Sequence, residues 1–233
     1  MVRECVRTWQ RLLLGYDIVE WIEDNCDISS NRFAAQAHKA GKWAFVSDYA
    51  RLKILYDHGG IYTDTDVEIV KSLDQFLVHD AFTGFEPEKY IPNAVMGAQK
   101  GNKWIEELLS YYEGRDFVLP DGSLHTTTNV RIITDIAVAR HGLCQNGQQQ
   151  VLAHSAQIYP STYFCRPGRA GNSLLVPVNC YAVHHFHGSW QSSGMNLRRK
   201  AIIGVSRVLG PRGFNAVRNL KRRVFRMVSA RRD

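Results

Sequence analysis

Long apolar runs are missing from this 233-residue chain. No stretch reaches the ~18 apolar residues that a membrane span needs, and the opening MVRECVRTWQR lacks the apolar region of a signal peptide. Cysteine is sparse and unpaired in pattern: Cys5, Cys26, Cys144, Cys165 and Cys180 are odd in number, scattered, and form no CxxC. That argues against a disulfide framework or a zinc knuckle and suits a reducing cytoplasm. Internal repeats and low-complexity tracts are absent too. What remains is ordinary globular composition, 45% hydrophobic and 22% charged, which excludes a disordered or collagen-like chain. The length fits one domain, or one domain with an appendage.

The net charge of +7 is unevenly spread. Residues 198–233 hold 12 Lys/Arg and one acid, leaving 17 basic and 21 acidic residues in 1–197. The expected organisation is therefore a mildly acidic domain over 1–197 and a basic tail over 198–233. Within the tail, Phe214, Val217, Leu220, Val224, Phe225 and Val228 interleave with Arg218, Lys221, Arg222, Arg223 and Arg226. This is the pattern of a basic amphipathic helix that docks on an anionic membrane surface, each cation contributing ~1 kcal/mol. A solvated or disordered basic end is the competing reading. The tail could also contact phosphates, but the body is acidic and carries no nucleic-acid motif, so nucleic acid is not an expected partner.

Periodicity predicts helices over 4–14, 31–40, 44–58, 102–113 and 130–141, the second capped from Ser29, Ser30 or Asn31. Short strands are predicted at 16–21, 61–63, 67–70, 81–85 and 181–186, while 142–180 reads as loops over the sheet. Strands alternating with helices argue for an α/β sandwich around a mainly parallel sheet.

The segment richest in chemistry is SDYARLKILYDHGGIYTDTDVE, residues 47–68. Gly59-Gly60 stops a helix, a short apolar strand follows, and Asp64 and Asp66 close it one residue apart. Two carboxylates so close repel unless a cation or strong donors lie between them, and their oxygens suit a hard divalent ion. A solvated acidic turn is the plain alternative. An EF-hand loop fails, because Ile69 and Gln75 stand where Gly and Glu are required. A DxDx(T/V) phosphohydrolase matches Asp64-Thr65-Asp66-Val67 locally, but no later acidic pair follows. Asp48 and Arg51, an i, i+3 pair on the preceding helix, favour a third option, a nucleotide-sugar site.

At this point the run AFVSDYARLKILYDHGGIYTDTDVEIVKSLD resembles the signature of the DxD sugar-binding glycosyltransferases, glycosyltransferase family 32. Family-like pieces follow in order: FTGFE at 82–86, AVMGA at 94–98, IYP at 158–160, then VHH at 183–185 ahead of Ser189-Trp190. Members usually open with a strand reading roughly IPKxIHxxWxG upstream of the helix that holds Trp9. No such strand occurs here, so the expectation is a truncated gene start or a sheet one strand short.

The resemblance implies a GT-A-type nucleotide-diphospho-sugar transferase fold, here with a basic C-terminal helix, and a manganese or magnesium cofactor. Asp66 would hold the metal that bridges the donor diphosphate, and Asp64 would bind ribose and sugar hydroxyls or the metal through water. Asp48, Arg51 and Tyr62 would line the donor's nucleoside and sugar side. His184, with His185 close behind, would complete the coordination, and Ser189 and Trp190 would meet the donor. Glu86 would contact the transferred sugar or acceptor, with Asn129 and Thr134 on the acceptor side. The implied reaction is retaining transfer from a UDP- or GDP-sugar to a glycan or lipid-linked acceptor, as in capsular polysaccharide synthesis. It would take place in the cytoplasm, with the tail on the inner face of the membrane. A DxDxV phosphohydrolase, or a non-catalytic remnant acting as a basic binding protein, is the alternative.

Overall fold

A computed structural model describes residues 1–87, 89–167 and 177–186. The tail 198–233, Ser189 and Trp190 lie outside the described residues.

Helix α1 (Val2–Leu12) opens the chain, followed by α2 (Arg32–Lys39) and α3 (Trp43–His58). Asn31 caps α2 by accepting from the Ala34 N–H at 3.1 Å, which satisfies one of the orphan donors of the first turn. The long α3 ends at Gly59, where φ is +72° and an added Cβ would lie 2.7 Å from the Lys100 backbone nitrogen. Only glycine fits both constraints. The chain can therefore turn at once into β1 (Gly60–Thr63), and this delivers Asp64 and Asp66 to the strand's end.

Next come β2 (Val67–Ile69), β3 (Ala81–Gly84), β4 (Val95–Ala98), α4 (Lys103–Ser110) and α5 (Asn129–His141). The remaining elements are β5 (Gln150–Val151), β6 (Ala156–Tyr159), the single turn α6 (Ser161–Phe164), β7 (Arg166–Pro167) and β8 (Ala182–His184). A five-stranded sheet runs β1-β4-β3-β6-β5, and a three-stranded sheet runs β2-β8-β7.

The α/β class is as expected, but the larger sheet is mixed rather than mainly parallel. Of its pairings only β3 with β6 is parallel; β1–β4, β3–β4 and β5–β6 are antiparallel. A parallel neighbour needs a crossover of a dozen or more residues; the links from β3 to β4 and from β5 to β6 are too short for one, whereas the route from β3 to β6 passes through α4 and α5. The segment 142–180 is likewise more than loops, since every residue of β6 is buried between β3 and β5. Residues 16–21, with their strand-like alternation, form no strand: Ile18 and Val19 are 44% and 56% exposed. No described strand pairs with them, and alternation without a hydrogen-bonded neighbour does not make a sheet.

Two apolar clusters hold these layers. Phe33, Leu52, Leu55, Trp104, Ile105, Leu108, Ile132 and Ile133 pack helices α2 to α5 around Met96 and Ile158 of the larger sheet. Cys5 and Trp9 of α1 pack with Val67, Ile69, Phe76, Phe82 and Phe164. Each large apolar side chain buried in this way contributes about 1.5–3 kcal/mol. On the second face, α1 also serves the edge of β2. The Trp9 indole donates to the Val67 carbonyl at 2.8 Å, and the Ile69 N–H donates to Thr8 Oγ1 at 3.0 Å.

Candidate metal and donor site

The Asp64–Asp66 turn is fixed at both ends. The Asp64 N–H donates to the Ala94 carbonyl at 2.8 Å, and the Val67 N–H returns to the Asp64 carbonyl at 3.0 Å. Beyond the turn, antiparallel pairing sets Val67 opposite His184, so the end of β8 arrives beside Asp66. His184 Nε2 lies 3.3 Å from Asp66 Oδ1. Ligand atoms of Asp64, Asp66 and His184 all fall within 4.8 Å of one another. Opposed ligands of an ion bound at ~2.1 Å would stand ~4.2 Å apart, so the three need only small adjustments to share one ion. Two carboxylates and an imidazole form a donor set that suits a hard or borderline divalent ion better than a soft one.

Behind Asp64 stands Arg51. Its guanidinium donates to Asp64 Oδ1 at 3.0 Å, to the Asn93 carbonyl at 3.2 Å, and to the Ser47 carbonyl and hydroxyl at 3.0 and 3.1 Å. It also pairs with Asp48 at 3.3 Å and lies 4.8 Å from the Tyr62 ring centroid. Burial works against the Arg51 charge, but the Asp64, Tyr62 and Asp48 groups outweigh it and hold the guanidinium protonated. The Tyr62 hydroxyl donates to the same Asp64 Oδ1 at 2.8 Å. Both donors use one carboxylate oxygen and so leave the other for a ligand. Burial and the neighbouring Asp64 push the Tyr62 phenol up, although Arg51 opposes them, so it stays a donor.

Arg51, at 6% exposure, is thus committed to protein groups. The sequence suggested a donor contact; in the structure the guanidinium is hydrogen-bonded to Asp64. Asp48 is similarly engaged, accepting from the Asn93 side chain at 3.5 Å and from the Asn129 N–H at the start of α5 at 3.4 Å. Asn129 and Thr134, suggested for an acceptor surface, are each 1% exposed. The Asn129 side chain donates to the Asp48 carbonyl at 3.1 Å, and Thr134 Oγ1 accepts from the Ile91 N–H at 2.9 Å.

His185 does not join the cluster. Its backbone N–H donates to the Asp66 carbonyl at 3.1 Å, while its ring turns to Glu68 at 3.1 Å. That ring helps line a separate cavity of about 320 Å³ with Met1, Glu4, Cys5 and Thr8. His185 lies just past the end of β8, and its ring faces Glu68 while that of His184 faces Asp66. Glu86 follows β3, its N–H donating to the Tyr90 carbonyl at 2.9 Å. Burial first, then the charges of Glu86, Asp64 and Asp66, push the buried Cys165 thiol far up.

Sequence reasoning passed over Asn93, Cys165 and Phe186. Asn93 had a signal, being the polar residue in the apolar run YIPNAVMGA. Cys165 meets His184 only through the pairing of β7 with β8, and Phe186 through a positive-φ turn two residues downstream. Among the described residues no helix is long and apolar enough to cross a membrane.

No curated protein sequence matches the chain. Among solved structures, the PaToxG glycosyltransferase is similar over 46% of this chain and 38% of its own length, at 23% identity and a TM-score of 0.33. Residues 1–83, which include α3, β1 and the aspartate turn, match the family described as the glycosyltransferase sugar-binding region containing the DXD motif.

Proposed function

We propose that the chain is a metal-dependent, retaining glycosyltransferase of GT-A type that uses a UDP- or GDP-sugar. The observation that carries this reading is the meeting of Asp64 and Asp66, both in the segment that matches the DXD sugar-binding region, with His184 from the distant β8, all within 4.8 Å. A manganese or magnesium ion held there would neutralise the charge that develops on the departing nucleoside diphosphate.

The chain's own residues prepare that site. Asp66 and His184 offer a carboxylate oxygen and Nε2 as ligands. Arg51 and Tyr62 fix one oxygen of Asp64 and leave the other for the ion, its water, or a donor hydroxyl. Asp48, placed at the N-terminus of α5 and paired with Arg51, anchors the wall beside it. Glu86 is the candidate contact for the transferred sugar or the acceptor, and Ser189 and Trp190 are candidates on the donor side. The acceptor we favour is a glycan or lipid-linked sugar, as in surface polysaccharide synthesis, with residues 198–233 holding the enzyme on an anionic membrane.

The test is a thermal-shift and donor-hydrolysis screen of UDP- and GDP-sugars with and without Mn2+. We expect at least one donor to stabilise the protein and turn over only with metal, and Asp66→Asn to lower turnover by ~100-fold or more. Turnover that survives both a chelator and Asp66→Asn would defeat the proposal. Vesicle co-sedimentation tests the tail separately: removal of 198–233 should release the protein from anionic vesicles.

A further inference from the structure

The imidazole of His184 is gripped on the sides that do not face Asp66. The Phe186 ring stacks on it with centroids 4.0 Å apart and planes inclined by 28°. Cys165 Sγ lies 3.9 Å from Nδ1, a sulfur hydrogen bond, and Cys165 is only 1% exposed. The two contacts arrive from different parts of the chain. Cys165 immediately precedes β7, whose parallel register sets Arg166 opposite Val183 on β8, so sheet pairing fixes the sulfur beside the next residue's ring. Phe186 reaches His184 from two residues downstream, with a backbone φ of +49°. A bulky L-residue is strained in that region, and such strain persists where the surroundings over-determine the conformation.

We propose that Cys165 and Phe186 form a clamp that sets the ring orientation and the ligating nitrogen of His184. The sulfur takes the Nδ1–H, the stacked ring fixes the imidazole plane, and Nε2 is left aimed at the ion beside Asp66. Both are positioning residues that act through His184. Cys165 is no ligand itself, since it meets the other ring nitrogen and stands outside the group formed by Asp64, Asp66 and His184. The inference rests on the metal site proposed above and specifies how that site is held. Partners of a ligating histidine commonly alter metal affinity 10–100-fold, so the clamp should be measurable in binding alone.

The experiment is a Mn2+ titration of the full chain, followed by electron paramagnetic resonance, with folding of each variant checked by circular dichroism. Cys165→Ala and Phe186→Leu should each weaken Mn2+ about tenfold. Cys165→Ser should recover most of the loss, because a hydroxyl can accept the Nδ1–H. In a His184→Ala background neither change should weaken binding further. Losses that persist undiminished without His184, or affinities within about twofold of wild type with His184 present, overturn the clamp. A readout without variants is the 15N spectrum of the Mg2+-loaded protein. A His184 ring protonated at Nδ1 supports the proposal, and one protonated only at Nε2 overturns it. Failure of the wild type to bind Mn2+, or binding indifferent to Asp66→Asn, removes the metal site and the clamp together. Binding that needs Asp66 but ignores Cys165 and Phe186 removes the clamp alone.

Discussion

Replacing Arg51 by methionine should destabilise the protein severely although the two side chains are similar in length. Arg51 is 6% exposed and donates to Asp64, Asn93 and Ser47 while pairing with Asp48. Methionine would leave the Asp48 and Asp64 carboxylates facing one another without a cation, together with an unpaired Asn93 carbonyl. Breaking a buried pair from one side typically costs 3–5 kcal/mol. Asp64 keeps 25% of its side chain exposed, so water recovers part of that loss and about 3 kcal/mol is the appropriate figure. In a domain of this size each kcal/mol moves Tm by about 2–4 °C, so a fall of roughly 6–12 °C is expected. Arg51→Lys keeps the charge but not the fork and should fall between. Calorimetry and urea unfolding would measure both. A methionine variant that melts within about 2 °C of wild type would refute the view that Arg51 braces the aspartates.

Three further outcomes follow from the same geometry. Gly59→Ala places a side chain at φ +72° with its Cβ 2.7 Å from the Lys100 nitrogen. It should cost about 1–3 kcal/mol, seen as a lower urea midpoint; an unchanged midpoint would contradict the tight α3–β1 junction. Burial alone would raise the Glu107 carboxyl, but hydrogen bonds from Arg140 at 2.8 Å and His141 at 2.7 Å outweigh it and hold the group below its ordinary 4.5. Its stabilisation is therefore full above the unfolded value and lost as pH falls through the depressed folded value. Glu107→Gln should cost ~0.5–1 kcal/mol at pH 7 and nothing once both carboxyl forms are protonated; a pH-independent cost would argue against the ion pair. Asp64→Asn should weaken Mn2+ binding less than Asp66→Asn does, because one Asp64 oxygen is already taken by Arg51 and Tyr62. Equal losses would contradict that division of labour.

What the sequence disclosed was local. Helix α3, the Gly59 stop and the aspartate turn lie within one continuous run, where spacing and glycine chemistry suffice to read them. β4 and β6 escaped for a physical reason: every residue in both is buried, so neither shows the alternation that marks a half-exposed strand. Residues 16–21 misled in the opposite direction, because alternation records a face and not a partner. His184 and His185 were recognisable as a pair of opposed rings with His184 favoured, but its place beside Asp66 depends on the register that sets Val67 opposite it. The sequence offered Asp48 and Arg51 as donor contacts; the structure sets the Arg51 guanidinium between the Asp48 and Asp64 carboxylates, an arrangement that i, i+3 spacing alone could not reveal. Cys165 and Phe186 depend on β7 meeting β8 and on one strained backbone angle, and neither has a local signature.

The most direct test of the central idea is isothermal titration of UDP and GDP into the protein with and without Mn2+, repeated with Asp66→Asn and His184→Ala. The account predicts that one nucleotide binds the wild type in a manganese-dependent manner, and that each substitution weakens it by ~10-fold or more. Nucleotide affinity that is the same with EDTA as with Mn2+, or the same in wild type and Asp66→Asn, would show that the aspartate–histidine cluster is not a metal-borne diphosphate site.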